Sequence, residues 1–427
     1  MGELMFVRFF KSFRCLRQAL LLGMVGFSST LYAQNCTTKI GAVLPTSVDW
    51  GRPIAATAQF AVDLANEAGG VAGCQVEMVL RDTQVDPKVG VDAAKALVDL
   101  EKVPVLLGAV SSGVTIPILT SVAVPAGVME VSCCSSSTKI TALAEEGKTK
   151  GLWFRTFATS GVQAAVGTML ARDQGYKSVV VLYKNDDWGQ DISKLTVRSM
   201  KSLGITVTNS IAINDGQASY RAEVTEALKG NPEGIYMALY PKEGISVVRE
   251  WLSLGGSQKM IMANSMKSDE LKDSVGLKYL KNALGTDTAS PRVESASKFV
   301  EMYKARFNSE PNGPGLANSF DATMIALLAM EAAGPNASGT QIAAQVGKVT
   351  DPKGTPITAD TAGFKKAKEI LKSGGSVMYQ GATGNVRFDA NGDVSAPAVA
   401  WSFTESGTKE ERYITLDEVD AFMATMQ

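Results

Sequence analysis

The chain has 427 residues, 45% of them hydrophobic and 20% charged, with 42 basic residues against 43 acidic and no histidine. That length supports two or three domains, each with its own core. The near-neutral balance and the lack of any long basic block disfavour nucleic-acid and anionic-membrane partners, and the missing histidine removes Ser–His–Asp and Cys–His catalysis and most catalytic zinc sites.

The amino terminus reads as an export signal. Arg8, Lys11, Arg14 and Arg17 precede a short apolar run from Ala19 to Phe27, and small residues follow up to a cleavage point after Ala33. The apolar run is shorter than the ~20 residues that span a bilayer, and no later stretch reads as a membrane helix, so no direct membrane insertion is expected. Removing residues 1–33 takes away four basic residues and one acid, leaving 38 basic against 42 acidic. Cys36, Cys74, Cys133 and Cys134 then remain, an even number for an oxidising compartment. Cys36 and Cys74 each lie just ahead of an expected strand, and neighbouring parallel strands start side by side, so these two are expected to pair. The adjacent Cys133 and Cys134 are compatible with a vicinal disulfide or with two thiols.

From Lys39 onward, strands alternate with helices. Lys39–Leu44 is β-rich, Pro53–Ala68 has helical spacing and stops at Gly69-Gly70, and Glu77–Arg81 is the next strand. Asp86-Pro87 opens a helix as cap and first residue, running to about Glu101. Pro104–Leu107 is almost wholly apolar, as suits a strand buried on both faces. Ser111 or Ser112 caps the following helix, and Gly127–Val131 is a further strand.

After Thr156 the pattern restarts. Helices are expected over Gly161–Gln174, Gly189–Leu203, Tyr220–Lys229 and Pro241–Leu254, alternating with strands Ser178–Tyr183, Thr206–Ile213, Gly234–Ala238 and Lys259–Ala263. Strands separated by helices imply parallel sheets with right-handed crossovers, an α/β fold. Residues 286–375 are mainly helical: Val293–Phe307 and Leu316–Ala333 read as amphipathic, Thr340–Val349 and Thr361–Ser373 as shorter helices. Gly384–Asp393 alternates and turns at Asn391-Gly392, a hairpin signal, and a last helix is expected over Leu416–Met426.

The two halves echo one another. Val43-Leu44 leads to Asp49-Trp50-Gly51, and at a constant offset Val181-Leu182 leads to Asp187-Trp188-Gly189. In open parallel sheets ligands bind beyond the carboxyl ends of the strands, which singles out four loops: Pro45–Gly51, Gly108–Gly113, Ser132–Thr138 and Lys184–Gly189. Ser111, Ser112 and Gly113, and likewise Cys134, Ser135 and Ser136, offer hydroxyls and backbone N–H groups at helix starts, suited either to a carboxylate or to capping alone. Trp50 and Trp188, in opposing loops, suit an aromatic clamp across a cleft or plugs of their own lobes, and Tyr240 has the same standing. Asp187 is the expected cap of the helix at Gly189. There is no Gly-rich phosphate loop with its Lys-Ser/Thr, and no G-x-G-x-x-G after the first strand.

The runs IGAVLPTSVDWG, GAVSSGVT, SCCSSSTKIT, FRT, LYKNDDWGQ and GNVRFDANGD, in this order over most of Lys39–Trp401, together resemble the type I periplasmic solute-binding proteins of the leucine–isoleucine–valine-binding family. The resemblance implies two Rossmann-like lobes joined by a three-segment hinge, roughly 37–157 with 286–390 and 158–285 with 391–427. It implies a periplasmic monomer that closes on a small solute and serves a membrane ABC permease, with no cofactor and no catalysis. By motif match, Ser112 and Ser136 resemble hydroxyls that hold a ligand carboxylate, Cys134 a backbone contact, and Trp50, Trp188 and Tyr240 aromatic walls. The chain departs from amino-acid binders after Lys259–Ala263, where Asn264-Ser265-Met266-Lys267 stands in place of an acid. Ser265 is the candidate there, and Glu243 or Asp186 would have to meet an ammonium group. Against this stand a sensory protein of the same fold and a secreted carboxylate enzyme, for which Asp186 and Asp187 are the available acids.

Overall fold

In a computed structural model the described residues are 36–425; the export signal expected over residues 1–33 lies outside them. Five parallel strands, β1 (Thr37–Leu44), β2 (Gln75–Asp82), β3 (Val105–Gly108), β4 (Met129–Ser132) and β5 (Trp153–Arg155), form one sheet in the order β2-β1-β3-β4-β5. The pleat sorts their side chains onto two faces. Ile40, Ala42, Leu44, Val105 and Leu107 enter one core, and Val43 and Leu106 enter another on the opposite side. Burial on both faces is why these strands read as continuous apolar runs. Cys36 and Cys74, immediately before the register pair Thr37 and Gln75, are disulfide-bonded with their Cα atoms 4.8 Å apart.

A second lobe is built on β6 (Ser178–Lys184), β7 (Thr206–Ile213), β8 (Gly234–Ala238), β9 (Met260–Met262) and β10 (Ala283–Thr288), parallel to one another. It has the same two-faced division: Val180, Leu182, Ile235 and Met237 on one side, Val179, Val181, Tyr236 and Ala238 on the other. The strands β11 (Thr355–Thr358), β12 (Val377–Gly381) and β13 (Gly384–Asn385) form a small third sheet, whose Ile357, Val377 and Tyr379 join a core of the first lobe. The hairpin of β14 (Ala398–Thr404) and β15 (Gly407–Ile414) adds antiparallel strands beside β10, giving the order β15-β14-β10-β9-β8-β6-β7. Among the described residues no helix is long and apolar enough to cross a membrane.

Several expectations are corrected. Helix Leu316–Ala333 is not amphipathic: its residues are buried all round, with Asn318, Ser319, Asp321 and Thr323 also inside, as befits a helix enclosed by its lobe. Thr340–Val349 divides into Gly339–Ala343 and Val346–Val349. Gly384–Asp393 is not a hairpin. Only Gly384-Asn385 pairs as a strand, and with β12; the expected turn at Asn391-Gly392 does form, with Asp389 N–H donating to Asp393 O at 2.9 Å and the Asp389 carboxylate accepting from the N–H groups of Asn391 and Asp393 at 2.8 and 2.9 Å. The would-be return strand is occupied by Arg155, whose backbone N–H donates to Gly392 O at 2.9 Å and whose Nε donates to Asp393 at 2.7 Å.

Candidate functional site

The Asp-Trp-Gly echo is a shared turn. A Cβ on Gly51 would lie 1.9 Å from the Pro45 carbonyl oxygen, and one on Gly189 would lie 2.0 Å from that of Lys184. Only glycine lets each helix start so close behind its strand, and this places Trp50 and Trp188 at the carboxyl edges of the two sheets. The acid of the echo is not the cap. Asp186, one residue earlier and extended, accepts from Gly189 N–H at 2.8 Å, whereas Asp187 is already helical and pairs with Lys139.

Between these edges lies a cavity of about 60 Å³, lined by Trp50, Ile54, Val110, Ser111, Cys134, Ser136 and Phe157, by Trp188, Tyr240, Asn264, Ser265 and Lys267, and by Pro314 and Gly315. Trp50 and Trp188 do not face each other directly. The Tyr240 ring lies between them, 5.5 Å from Trp50 at 20° and 5.4 Å from Trp188 at 17°, so three rings form one stack. Trp188 is only 5% exposed and also belongs to a core of the second lobe. Ligand pockets usually enclose ~300–1,000 Å³, so a solute the size of an amino acid fits only when this stack parts.

The serines divide by role. Ser111 caps helix Ser112–Ile118 by its backbone, and its hydroxyl accepts from Tyr240 OH at 2.9 Å and lies 3.4 Å from Asp186. Ser136 lines the cavity and shares a hydrogen bond of 3.1 Å with Ser160. Ser265 lines it while donating to Leu239 O at 2.7 Å. Ser112 and Ser135 turn inward: Ser112 Oγ accepts from Ser137 N–H at 3.1 Å, and Ser135 Oγ donates to Ala109 O at 3.0 Å. Gly113 permits close approach, since a Cβ there would lie 3.2 Å from Asp186 Cβ. Cys134 borders the cavity and is bonded to Cys133 beneath it.

Electrostatics at the cavity are mixed. Burial pushes the Asp186 carboxyl above its ordinary range, and burial together with the neighbouring Asp186 charge pushes the Tyr240 hydroxyl well up. Lys184, inside the second lobe and paired with Asp215, is pushed down by burial. Lys267 sits 3.3 Å from Asp287, whose carboxyl burial raises. Behind the serine loop, Arg155 is fully buried and donates to the carbonyls of Ser135 and Ser137 at 3.0 and 2.9 Å. The loop is thus braced from below while its sulfur and hydroxyl edge faces the cavity. Phe157, Ile54, Val110, Pro314 and Gly315 were not foreseen as lining residues; of these only Val110 lies in a singled-out segment, the GAVSSGVT run.

Residues 37–367 match the family model described as periplasmic binding protein. The substrate-binding protein BasB of a chemotactic signal transduction system in Halobacterium salinarum is 26% identical over 361 residues, 82% of this chain and 83% of that protein. The crystal structure of a leucine-binding protein, LivK, of Thermotoga maritima superposes with a TM-score of 0.71 at 25% identity, over 89% of this chain and 99% of that one. A solute-binding protein of an ABC transporter from R. palustris, in complex with benzoate, superposes with a TM-score of 0.68 at 15% identity, over 89% and 96% of the two chains.

Proposed function

The chain belongs to the periplasmic binding protein family, and from that premise we propose that it captures a small solute between its lobes and presents it to a membrane ABC permease. It acts in the periplasm, as a monomer, without cofactor and without catalysing a reaction. We take the lobes as roughly 37–157 with 286–390 and 158–285 with 391–427, closing by hinge motion through the three connections. The observation that carries this reading is the cavity itself, which lies at the strand ends and draws Trp50, Ser111, Cys134 and Ser136 from the first sheet's loops and Trp188, Tyr240 and Ser265 from the second's.

The solute is an acid with a flat apolar body. Hydroxyls of Ser111 and Ser136 and the ammonium of Lys267 suit a carboxylate, the stacked rings suit a planar group, and the stretch after β9 supplies no acid for an ammonium. Benzoate, held by one structural relative, is such a molecule. A second reading, an α-amino acid such as the leucine of another relative, is favoured by Asp186, whose carboxylate lies 3.4 Å from both Ser111 and Tyr240 hydroxyls at the cavity edge.

A thermal-shift panel of aromatic acids, short carboxylates, amides and L-amino acids tests both. A ligand at ~100 times its dissociation constant adds ~2.7 kcal/mol of stability. Shifts confined to aromatic acids are expected, and Trp50→Ala then weakens binding by ~1–3 kcal/mol. Shifts confined to L-amino acids replace the first reading with the second, and shifts from none of the classes overturn both.

A further inference from the structure

We propose that the Cys133–Cys134 disulfide is the selectivity wall of this cavity and that reducing it releases the selectivity, an inference that rests on the flat-acid reading above. Cys134 is half-buried and lines the cavity, whereas Cys133 is 3% exposed and packs in the first lobe's core. The bond therefore runs from a fixed interior anchor to the cavity surface. The wall is built for sulfur. Gly315 begins helix Leu316–Ala333 in a left-handed conformation, φ +75, and a Cβ there would lie 2.4 Å from Cys134 Sγ. A helix start has been left without a side chain where the sulfur sits.

The disulfide also closes adjacent residues into a small ring, fixing the backbone that leads into Ser135 and Ser136. The hydrogen bonds around it have the same effect. Ser132 Oγ accepts from the N–H groups of Cys134 and Ser135 at 3.3 and 3.1 Å and donates to Ala109 O at 2.7 Å. Across the cavity stand aromatic rings. Sulfur is polarisable and makes favourable contacts with ring edges, so a bonded, immobile sulfur pair discriminates a flat unsaturated ligand from a branched aliphatic one. Two free thiols would rotate independently, and the Cys134 sulfur at the cavity would no longer be held in place.

The redox step balances with an external dithiol. It attacks the cavity-facing sulfur, the Cys133–Cys134 bond breaks, and the dithiol's two electrons and two protons pass to the cysteine sulfurs as it closes to its own cyclic disulfide. In an oxidising compartment the bonded form is the default.

Calorimetry tests this with benzoate, 3,4-dihydroxybenzoate and L-leucine on three preparations: oxidised protein, protein treated with dithiothreitol, and Cys133→Ser with Cys134→Ser. Aromatic-acid affinity is expected to fall about three- to tenfold on reduction and in the double variant, with dithiothreitol adding nothing to the variant. That last arm separates the effect from opening of Cys36–Cys74. Gly315→Ala keeps the bond but displaces its sulfur, and is expected to lose the same preference. Aromatic acids that bind all preparations equally overturn the proposal alone. Aromatic acids that fail to bind the oxidised protein overturn the flat-acid reading, and the proposal with it.

Discussion

At the scale of single residues, a buried carboxyl without partners lies away from the cavity. Glu130, on β4, is fully buried, and neither of its carboxyl oxygens has a hydrogen-bond partner; the indole N–H of Trp153, its register partner on β5, has none either. Burial without a partner pushes the Glu130 carboxyl well above its ordinary range. The sign follows. Above a pH of about 4.5 the unfolded chain gives up this proton while the folded chain keeps it, so folding loses stability as pH rises, by up to ~1.4 kcal/mol per pH unit for this group until the folded carboxyl also ionises. Glu130→Gln removes the proton without changing the shape. Urea unfolding at pH 4 should find variant and parent similar, and at pH 7 the variant more stable. Parallel profiles across that range would show that Glu130 is ionised in the fold.

At the scale of elements, the same substitution should change sign with its surroundings. Gly51→Ala drives a methyl toward the Pro45 carbonyl oxygen, 1.9 Å from an ideal Cβ, and is expected to cost ~1–3 kcal/mol or more. Gly347→Ala, in helix Val346–Val349, meets nothing within 4 Å and should gain ~0.4–1 kcal/mol by restricting the unfolded chain. Melting curves of the two variants give the comparison, and equal shifts would dismiss close approach as the reason for the glycine at 51. This turn is also where the sequence was most legible, because strand, Asp-Trp-Gly and helix are all local. Gly234–Ala238, buried throughout, stands where its apolar run placed it, and the edge strand Thr206–Ile213 stands where its β-branched residues placed it. The elements that were missed lack such runs. β5 has three residues, one of them the fully buried Arg155, and β10 reads ALGTDT. β5 is a strand because β4 pairs with it and the distant Asp393 holds its Arg155, and β10 because β9 and β14 flank it, information that no local window carries. The site divides in the same way. Trp50, Ser111, Cys134, Ser136, Trp188, Tyr240 and Ser265 sit in strand-end loops and were readable, whereas Phe157 and Gly315 reach the cavity only through the docking of distant segments.

At the scale of the whole molecule, the two lobes meet through a polar seam as well as the ring stack. Asp191, in helix Asp187–Ser202, accepts from Thr138 N–H at 2.8 Å and from Thr138 Oγ1 at 2.6 Å, at the start of helix Thr138–Glu145. Asp187 pairs with Lys139 one residue on, and Tyr240 reaches Ser111. A carboxylate at a helix amino terminus meets free N–H donors and the favourable end of the dipole, so Asp191 is a latch between lobes that leaves the cavity lining untouched. A charge-assisted hydrogen bond contributes ~1.5–3 kcal/mol, and a binding protein pays any such loss as a smaller fraction of chains in the binding-competent arrangement. Asp191→Ala is therefore expected to widen the molecule in small-angle scattering and to weaken solute binding about tenfold or more. Saturating solute should restore the narrow form, because ligand contacts across the cavity replace what the latch supplied. An unchanged scattering profile with weakened binding would put Asp191 in the site rather than at the seam; an unchanged affinity would mean that the ring stack and the remaining polar contacts hold the lobes together without it.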